Sequence, residues 1–441
     1  MDPAPARDVV RSTSGRRLLV PSFLVAIAVL VVACTSAPEL TPPSPTASTT
    51  SSADEGSPTT RHALVGVDGA ALKFPVVVPQ VVAAPADRTV LDDAVSFDVR
   101  RDGSLLRMLA IDSDSSLVSL MPEGAYGGGE ELLESSQVGF LDDDGSFTGL
   151  SSTVAVADDG SARQTSAGDL DDRWAVWAET SSVDAFTSNW RVFAVDRAEG
   201  APRLLGRAED HHPGTRLPLA VGDPEPVLSG GRVWWHTAYE REDGSFRTRV
   251  LSASPDGSRT DVALDLASQP RPVHGGVVAL AMHDTTVDGA QEGWEIQDPR
   301  RAVGVVRVDA TGDVHDVVRF GDVTDDEWFV RELAAGQDLV AITMASDVYV
   351  LRTDGSPVVR IPLDRGQRPA GLAVCGGRVV LGSVDPTTNE GDSMLILDAA
   401  DGSLTSVDAP GSWGDMTCSD DRLAWTHGAQ SGSVTTVASL P

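Results

Sequence analysis

The stretch GGRVVLGSVDPTTNEGDSMLILDAADG, residues 376–402, contains the pattern that decides the fold. A Gly-Gly turn precedes the apolar run RVVLGS, and a second apolar run, MLILD, leads into a turn that ends in Asp-Gly. Tight turns of Gly and Asp beside short apolar runs are strong signals of β-hairpins. The pattern therefore predicts two hairpins with four strands, A to D, in which the first turn joins A to B and the second joins C to D.

The first turn of this unit recurs along the chain. It lies at residues 93, 136, 172, 231, 276, 337, 377 and 421, on average about 47 residues apart, and the copy at Ser135-Ser136 is the weakest. Four-stranded units that repeat every 40 to 50 residues or so are typical of β-propellers. We therefore predict an all-β fold, a β-propeller of four-stranded antiparallel blades, with eight blades, or with seven if the Ser136 copy is not a blade.

The second turn of the unit also recurs, in MLAIDSDSS (residues 108–116) and TVAVADDG (residues 153–160) among others. The last unit ends at VTTVASL and Pro441, which leaves no room for a fourth strand. A propeller is closed when one blade takes strands from both ends of the chain, which removes the free sheet edge. We therefore predict that residues 62–80 pair with residues 434–440.

At the level of repeat architecture, residues 62–441 resemble the TolB-like and quinoprotein-like propellers of bacterial envelopes. This resemblance rests on generic turn residues, so it implies a fold and no activity. Lys73 is the only lysine, and arginine supplies the remaining positive charge. Such usage is typical of bacteria with GC-rich genomes.

The N-terminal residues have the organisation of an export signal. Residues 1–17 are net positive, and an uncharged apolar run of 16 residues, Leu18 to Ala33, then leads to Cys34. The run is short for a permanent membrane span, and the small residue before Cys34 resembles the lipobox of bacterial lipoproteins. We predict a signal peptide over residues 1–33 and acylation of Cys34, a palmitate-type membrane anchor; the alternative is an uncleaved anchor. Both interpretations place the rest of the chain on the extracytoplasmic side of the cell membrane.

The residues after Cys34 separate the anchor from the body. Residues 34–60 are rich in Ser, Thr and Pro and contain almost no large apolar side chain, so they are predicted to form an extended tether. Residues 61–441 are predicted to form the propeller. Cys375 and Cys418 follow strand A in neighbouring units, and outside the cytoplasm a disulfide persists. We predict a disulfide between them; the alternative is two buried free thiols.

The long loops are predicted to lie on one face of the propeller, because the A–B and C–D turns are tight and the insertions fall in the B–C loops and D–A connections. Aromatic side chains on such a face commonly serve recognition. The candidate binding residues on this face are Trp190, His211, His212, Tyr239, Trp294, Trp328 and Trp413. The alternative is that the tryptophans cap the blades as local cores.

The net charge of −31 excludes a protein that works mainly by binding nucleic-acid phosphates. The acidic clusters at residues 142–144, 169–172 and 325–327 lack the spacing of a calcium loop, so at most weak calcium binding is expected, and no metal site or cofactor is predicted. The sequence contains no G-x-S-x-G or H-E-x-x-H motif, and no catalytic residue is predicted.

These patterns together predict a lipid-anchored lipoprotein of the cell envelope. Its propeller is predicted to be a non-catalytic scaffold that binds a ligand or, more specifically, an envelope protein partner. The alternative is an extracytoplasmic enzyme that acts on carbohydrate or uses a quinone cofactor.

Overall fold

The fold was analysed in a computed structural model of the chain. The structure describes residues 64–79, 91, 93–125, 134–181, 189–210, 224–240, 246–283, 302–321, 330–344, 347–363, 368–384, 391–408, 412–429 and 432–440. The predicted signal peptide, Cys34 and the tether lie outside these residues. Within them, no helix combines the length and the apolar character that crossing a membrane requires.

The described residues form seven antiparallel sheets of four or five strands, arranged as the blades of a propeller. Two strands precede the first blade: β1 (Leu64–Val65) and β2 (Val95–Asp98). Blade 1 contains β3 (Arg100–Arg101), β4 (Ser104–Ile111), β5 (Ser116–Pro122), β6 (Gln137–Leu141) and β7 (Phe147–Gly149). Helix α1 (Val154–Ala157) leads to blade 2, which contains β8 (Gln164–Leu170), β9 (Trp174–Thr180), β10 (Arg191–Asp196) and β11 (Arg203–Arg207). A 3-10 turn, Ala208–Asp210, follows blade 2.

Blades 3 to 7 repeat the same four-stranded order. Blade 3 contains β12 (Val227–Ser229), β13 (Arg232–Glu240), β14 (Phe246–Ala253) and β15 (Thr260–Asp265), and blade 4 contains β16 (Ala267–Val273), β17 (Gly276–Met282), β18 (Ala302–Asp309) and β19 (Val314–Phe320). Blade 5 contains β20 (Val330–Gly336), β21 (Leu339–Met344), β22 (Asp347–Arg352) and β23 (Pro357–Pro362). Blade 6 contains β24 (Arg368–Cys375), β25 (Arg378–Val384), β26 (Gly391–Asp398) and β27 (Leu404–Asp408), and blade 7 contains β28 (Ser412–Cys418), β29 (Arg422–Ala429) and β30 (Gly432–Ser439).

The expectation of eight blades is wrong, and the seven-blade alternative is confirmed. The turn at residue 93 precedes β2, an outer strand, and the one at Ser136 precedes β6, which is strand C of blade 1 when β4 is counted as strand A. The A–B turn of blade 1 is instead Asp112–Ser115, where the Asp112 carboxylate accepts the backbone N–H of Ser115 at 2.7 Å. The count was wrong because the same turn residues build every kind of hairpin in the molecule.

Helix α1 corrects a second expectation, the strand predicted in TVAVADDG. Residues Val154–Ala157 are helical, and Asp158 ends the helix in the left-handed conformation, at φ 64°. Apolar runs this short are compatible with either a strand or a helix turn, and periodicity does not separate them.

The closing strand of the ring is not the one that the sequence predicts. Blade 7 is completed by β2, in which Val95 pairs with Val437 and Asp98 with Val434. The chain ends therefore do share one blade, but the N-terminal partner is residues 95–98 instead of residues 62–80. The earlier segment lies elsewhere, since β1 pairs with β19 of blade 4.

Residues 64–79 form a strap along the outer edges of blades 4 and 5. In β1, Leu64 is buried and pairs with Phe320. Further along, the N–H of Val77 donates to the carbonyl of Arg360 in β23 at 3.0 Å, and Arg360 donates to the carbonyl of Pro75 at 2.8 Å. The strap thus covers parts of two sheet edges that would otherwise expose unpaired backbone groups.

The core lies between successive blades, where apolar side chains from facing sheets pack together. The tryptophans of the B strands contribute most to blades 2 and 3: Trp177 stacks on Phe193 with ring centroids 5.8 Å apart, and Trp235 is fully buried. Blades 6 and 7 are joined covalently, because Cys375 and Cys418 form the predicted disulfide, with their Cα atoms 5.5 Å apart.

Candidate functional site

A central channel with a volume of about 540 Å³ runs between the seven inner strands. Blade 1 contributes β4 to the channel wall, and each of the other blades contributes its first strand or the residues just before it. The residues that line it in the first half of these strands lie toward the end of the propeller that carries the B–C loops and D–A connections. Volumes of this order are typical of sites for small ligands.

β-bulges recur in the inner strands and shape the channel wall. In β20, Val330 pairs with Met344 and Glu332 with Thr343, so the register shifts by one residue at Arg331. β4 and β8 have the same kind of register shift. A bulge bends the strand and re-aims a side chain, and bulges are frequent next to active sites. The bulge therefore accounts for the exposed position of Arg331 on the channel wall.

Blade 4 places Arg271 in the channel by a similar device. The register of β16 shifts between Ser268 and Arg271, and Gln269 within this shift has φ 52°, a conformation that non-glycine residues seldom adopt. The Arg271 guanidinium donates to the Glu225 carboxylate at 2.5 Å and to the carbonyl of Leu333 at 2.9 Å. Arg271 thus links blades 3, 4 and 5 across the channel wall.

Five charged side chains line this part of the channel, and we call them the channel cluster: Arg107, Glu225, Arg271, Arg331 and Glu332. They come from blades 1, 3, 4 and 5. The charge of Arg271 lowers the pKa of Glu225 against the opposing effect of burial, and His236 and Arg107 lower it further. Glu225 therefore stays ionised at neutral pH.

Glu332 differs from Glu225 in its surroundings. Burial raises the pKa of Glu332, and the charges of Arg271 and Arg331 only partly oppose this effect. Its oxygen Oε2 is buried and has no hydrogen-bond donor among the residues that the structure describes. A buried carboxylate oxygen without a donor is costly, so this atom is a place where a ligand can contribute a hydrogen bond.

Asp169 lines the channel closer to the A–B turns. Its carboxylate accepts the backbone N–H of Leu228 at 2.7 Å and that of Leu170 at 2.9 Å, which ties β8 to β12 of the next blade. Burial raises its pKa to about 6 despite these bonds. Because both oxygens already accept bonds from the backbone, Asp169 supports the wall.

Two of the predicted binding residues are described with their side chains, and both make contacts within the protein. Trp190 is 1% exposed and donates from Nε1 to the Thr237 hydroxyl at 3.0 Å. Its place beside a B–C loop predicted an exposed recognition residue, but Trp190 is buried and packs between blades 2 and 3. The Tyr239 ring is partly exposed and lies under the Arg249 guanidinium, 3.9 Å from it.

The side chains of the other predicted binding residues are not among those that the structure describes. Trp413 lies in β28, where the structure describes the backbone only. The remaining candidates lie outside the described residues: His211, His212, Trp294 and Trp328.

The acidic clusters that are described build turns. Asp144 accepts the N–H of Ser146 at 2.8 Å in the C–D turn of blade 1, and Asp171 accepts that of Trp174 at 2.7 Å in the A–B turn of blade 2. The cluster at residues 325–327 lies outside the described residues. In the part of the chain that is described, no three His, Cys, Asp or Glu side chains gather closely enough to hold a metal ion.

The channel cluster is the feature that the sequence did not reveal. Its members are far apart along the chain, and only Asp169 of the charged channel residues stood out, as part of an acidic run. One signal was available: Arg107, Arg271, Arg331 and Glu332 are charged residues inside strands that should pack at the centre of the ring. Charges at such positions are unusual unless they are paired or functional.

No known protein family matches the sequence, and no curated protein matches it. Among solved structures, the chain is similar to an oligogalacturonate lyase from Vibrio parahaemolyticus, with 10% identity, coverage of 80% of this chain and 96% of the lyase, and a TM-score of 0.49. It is also similar to a puromycin-hydrolysing peptidase from Mycobacterium tuberculosis, with 15% identity, coverage of 84% and 56%, and a TM-score of 0.47.

A third similar structure is YCF48 bound to a D1 peptide, with 9% identity, coverage of 84% of this chain and 98% of YCF48, and a TM-score of 0.43. Likenesses this distant do not bear on what this chain binds or catalyses. The seven-bladed fold rests on the strand pairing of the chain itself.

Proposed function

We propose that this chain is a lipid-anchored, extracytoplasmic binding protein whose propeller takes a ligand, or a segment of an envelope protein, at the loop-side end of its central channel. The observation that carries the proposal is the channel cluster, five charged side chains from four blades that line one cavity. Charges in a wall of this kind provide orientation and specificity for a polar ligand. The strands of the channel wall are held in place by pairing with the next strand of their own blade.

Binding without catalysis is favoured by the way in which the cluster is held. Arg271 already bridges Glu225 and the Leu333 carbonyl, so it is fixed in one geometry before any ligand arrives. Preorganised charges of this kind lower the entropy lost on binding. They suit a receptor that presents its site on a tether above the membrane.

Position-specific crosslinking in cells tests the proposed site. A photoreactive phenylalanine analogue at Ser166, a residue in the first half of β8 that lines the channel outside the channel cluster, is compared with the same analogue at Asp401, an exposed residue in the C–D turn of blade 6. We expect one adduct that forms from position 166, does not form from position 401, and disappears when Glu332 is also replaced by Gln. Equal adducts from both positions, or none from either, would contradict binding in the channel.

The anchor is tested separately, because the evidence for it is the sequence of residues 1–60. We expect Cys34→Ala to leave an unprocessed precursor or to release protein to the medium, whereas Ser36→Ala should behave as the unchanged protein. The measurement is detergent partition of cell fractions with immunoblotting. If Cys34→Ala partitions and migrates like the unchanged protein, the lipoprotein assignment fails.

A second candidate function is glycoside cleavage, and one observation favours it. Glu332 has a raised pKa and Glu225 a lowered one, and both interact with Arg271. Carboxyl groups whose environments separate their pKa values in this way can divide the roles of general acid and base. A screen of polysaccharides for new reducing ends distinguishes the candidates: turnover that Glu332→Gln abolishes would support the enzyme.

A further inference from the structure

The channel cluster contains charges of both signs, and the wall leaves one acceptor atom unused. Three arginines and two glutamates form the cluster, and Arg271 and Glu225 are paired with each other. Oε2 of Glu332 is buried without a donor among the described residues. A positively charged N–H donor is the group that satisfies such an oxygen best.

The residues next to Glu332 provide donors for a second group of the same ligand. Arg331 is exposed on the channel wall, directly beside Glu332 in β20, and Arg107 lies in the same cavity. A guanidinium carries five N–H donors in a planar fork, so it can bind a carboxylate while it keeps partners within the protein. The wall therefore offers an acceptor for a cation and donors for an anion a short distance apart.

The net charge of the chain limits which ligand can use both groups. At −31, the protein repels small anions from its surroundings. The cavity wall carries three arginines and three carboxylates, those of Asp169, Glu225 and Glu332, so its charge is nearly balanced and favours neither a ligand that is only a cation nor one that is only an anion. A zwitterion has no net charge to be repelled, and it gains from both halves of the site.

We propose that the channel cluster binds a small zwitterion, with its ammonium group donating to the carboxylate of Glu332 and its own carboxylate accepting from the guanidinium of Arg331. The ligand class is that of free amino acids and the ends of short peptides. This inference rests on the proposed function, binding in the channel, and specifies what is bound there.

Isothermal titration of the full-length acylated chain in detergent tests the inference. The probes are glycine, β-alanine, γ-aminobutyrate and 6-aminohexanoate, which separate the two charges by increasing lengths; butylamine and butyrate carry one charge each. We expect at least one amino acid to bind about tenfold or more tightly than both single-charge probes, because it makes one more charge-assisted contact.

Two substitutions separate the two contacts. Glu332→Gln should weaken the binding of the best amino acid by about tenfold or more and leave the binding of butyrate unchanged. Arg331→Gln should weaken the binding of the same amino acid and of butyrate, but not the binding of butylamine. The matched control is Glu123→Gln, an exposed glutamate that pairs with Arg100 at 3.5 Å on the rim of blade 1. It should bind like the unchanged chain.

The outcomes are distinct for this inference and for the proposed function. If butyrate binds as tightly as every amino acid, or butylamine does, the channel is a site but not a zwitterion site. If no probe binds, the ligand class is overturned, and the crosslinks from position 166 decide whether the channel binds another partner. Because Arg331 is exposed, Arg331→Gln tests the inference even if Glu332→Gln does not fold.

Discussion

Asp112 ties three blades together through a single turn. Its carboxylate, 15% exposed, pairs with Arg197 of blade 2 at 2.5 Å, and Arg422 of blade 7 donates to its carbonyl at 3.1 Å. We expect Asp112→Ala to lower the free energy of unfolding by about 1–3 kcal/mol, because it removes the turn and leaves Arg197 without its carboxylate. Equilibrium urea unfolding of purified protein at pH 7 measures the loss.

The loss of stability in Asp112→Ala should depend on pH, in a direction set by the pKa of Asp112. Burial raises the pKa of Asp112, but the N–H groups of Asp114 and Ser115 and the charge of Arg197 lower it by more, so that it is below the unfolded value of 3.8. A group with a lowered folded pKa stabilises above the unfolded pKa and loses that contribution as the pH falls. The deficit of Asp112→Ala should therefore shrink below about pH 4.

Asp401→Ala is the matched control for Asp112. Asp401 makes the same kind of turn, accepting the N–H of Ser403 at 2.8 Å, but it is exposed at the edge of blade 6. We expect Asp401→Ala to lower the free energy of unfolding by about 1 kcal/mol at most. An equal loss in the two variants would show that the turn, and not the junction between blades, makes Asp112 important.

The sequence predicted the turns well at this scale and the channel residues poorly. Aspartate turns depend on neighbours two or three residues away, so a local pattern such as Asp171 to Trp174 is visible in the chain. Arg271 and Glu332 acquire their roles from bulges in β16 and β20 and from blades far apart in sequence. No local pattern marks where a strand will bulge.

The strap is the element whose contribution is easiest to isolate. The Phe74 ring packs edge-on against Tyr349, with centroids 5.3 Å apart, whereas Val76, two residues later, is 55% exposed. We expect Phe74→Ala to lower the free energy of unfolding by about 1–3 kcal/mol. We also expect it to expose the strap to proteolysis while the blades stay folded. Val76→Ala should stay within about 0.5 kcal/mol.

Limited proteolysis followed by mass mapping measures the strap directly. Faster cleavage within residues 64–79 in Phe74→Ala than in Val76→Ala is the expected result. If both variants are cut at the same rate as the unchanged chain, the Phe74 contact does not hold the strap.

The sequence predicted the blades as elements but misplaced the strands before them. Each blade contains its own turns and apolar runs, so it can be recognised without its neighbours. Both FPVVVPQVV and AVSFDV have the composition of an edge strand, and composition does not say which edge a strand joins. Pairing with β30 went to β2 because its four residues continue directly into blade 1.

At the scale of the whole molecule, the disulfide joins the last two blades before the ring closes. Cys375 and Cys418 are 43 residues apart. In the chain-entropy account, a disulfide that closes a loop of this size stabilises the folded protein by about 4 kcal/mol at most. We expect the double variant Cys375→Ala, Cys418→Ala to lose about 2–4 kcal/mol. Thermal unfolding with and without reductant provides the check: reductant should lower the midpoint of the unchanged chain only.

Closure of the ring depends on β2, which completes blade 7, whereas the strap lies along blades 4 and 5 and does not take part in closure. If residues 64–98 are deleted, β30 becomes an open edge eight residues long, which is a template for pairing with another chain. We expect this variant to self-associate in light scattering coupled to gel filtration. Deleting residues 64–79 alone keeps β2 and should give a less stable monomer. If the longer deletion also stays monomeric and melts at the same temperature as the shorter one, β2 does not close the ring in solution, and blade 7 must be complete with three strands.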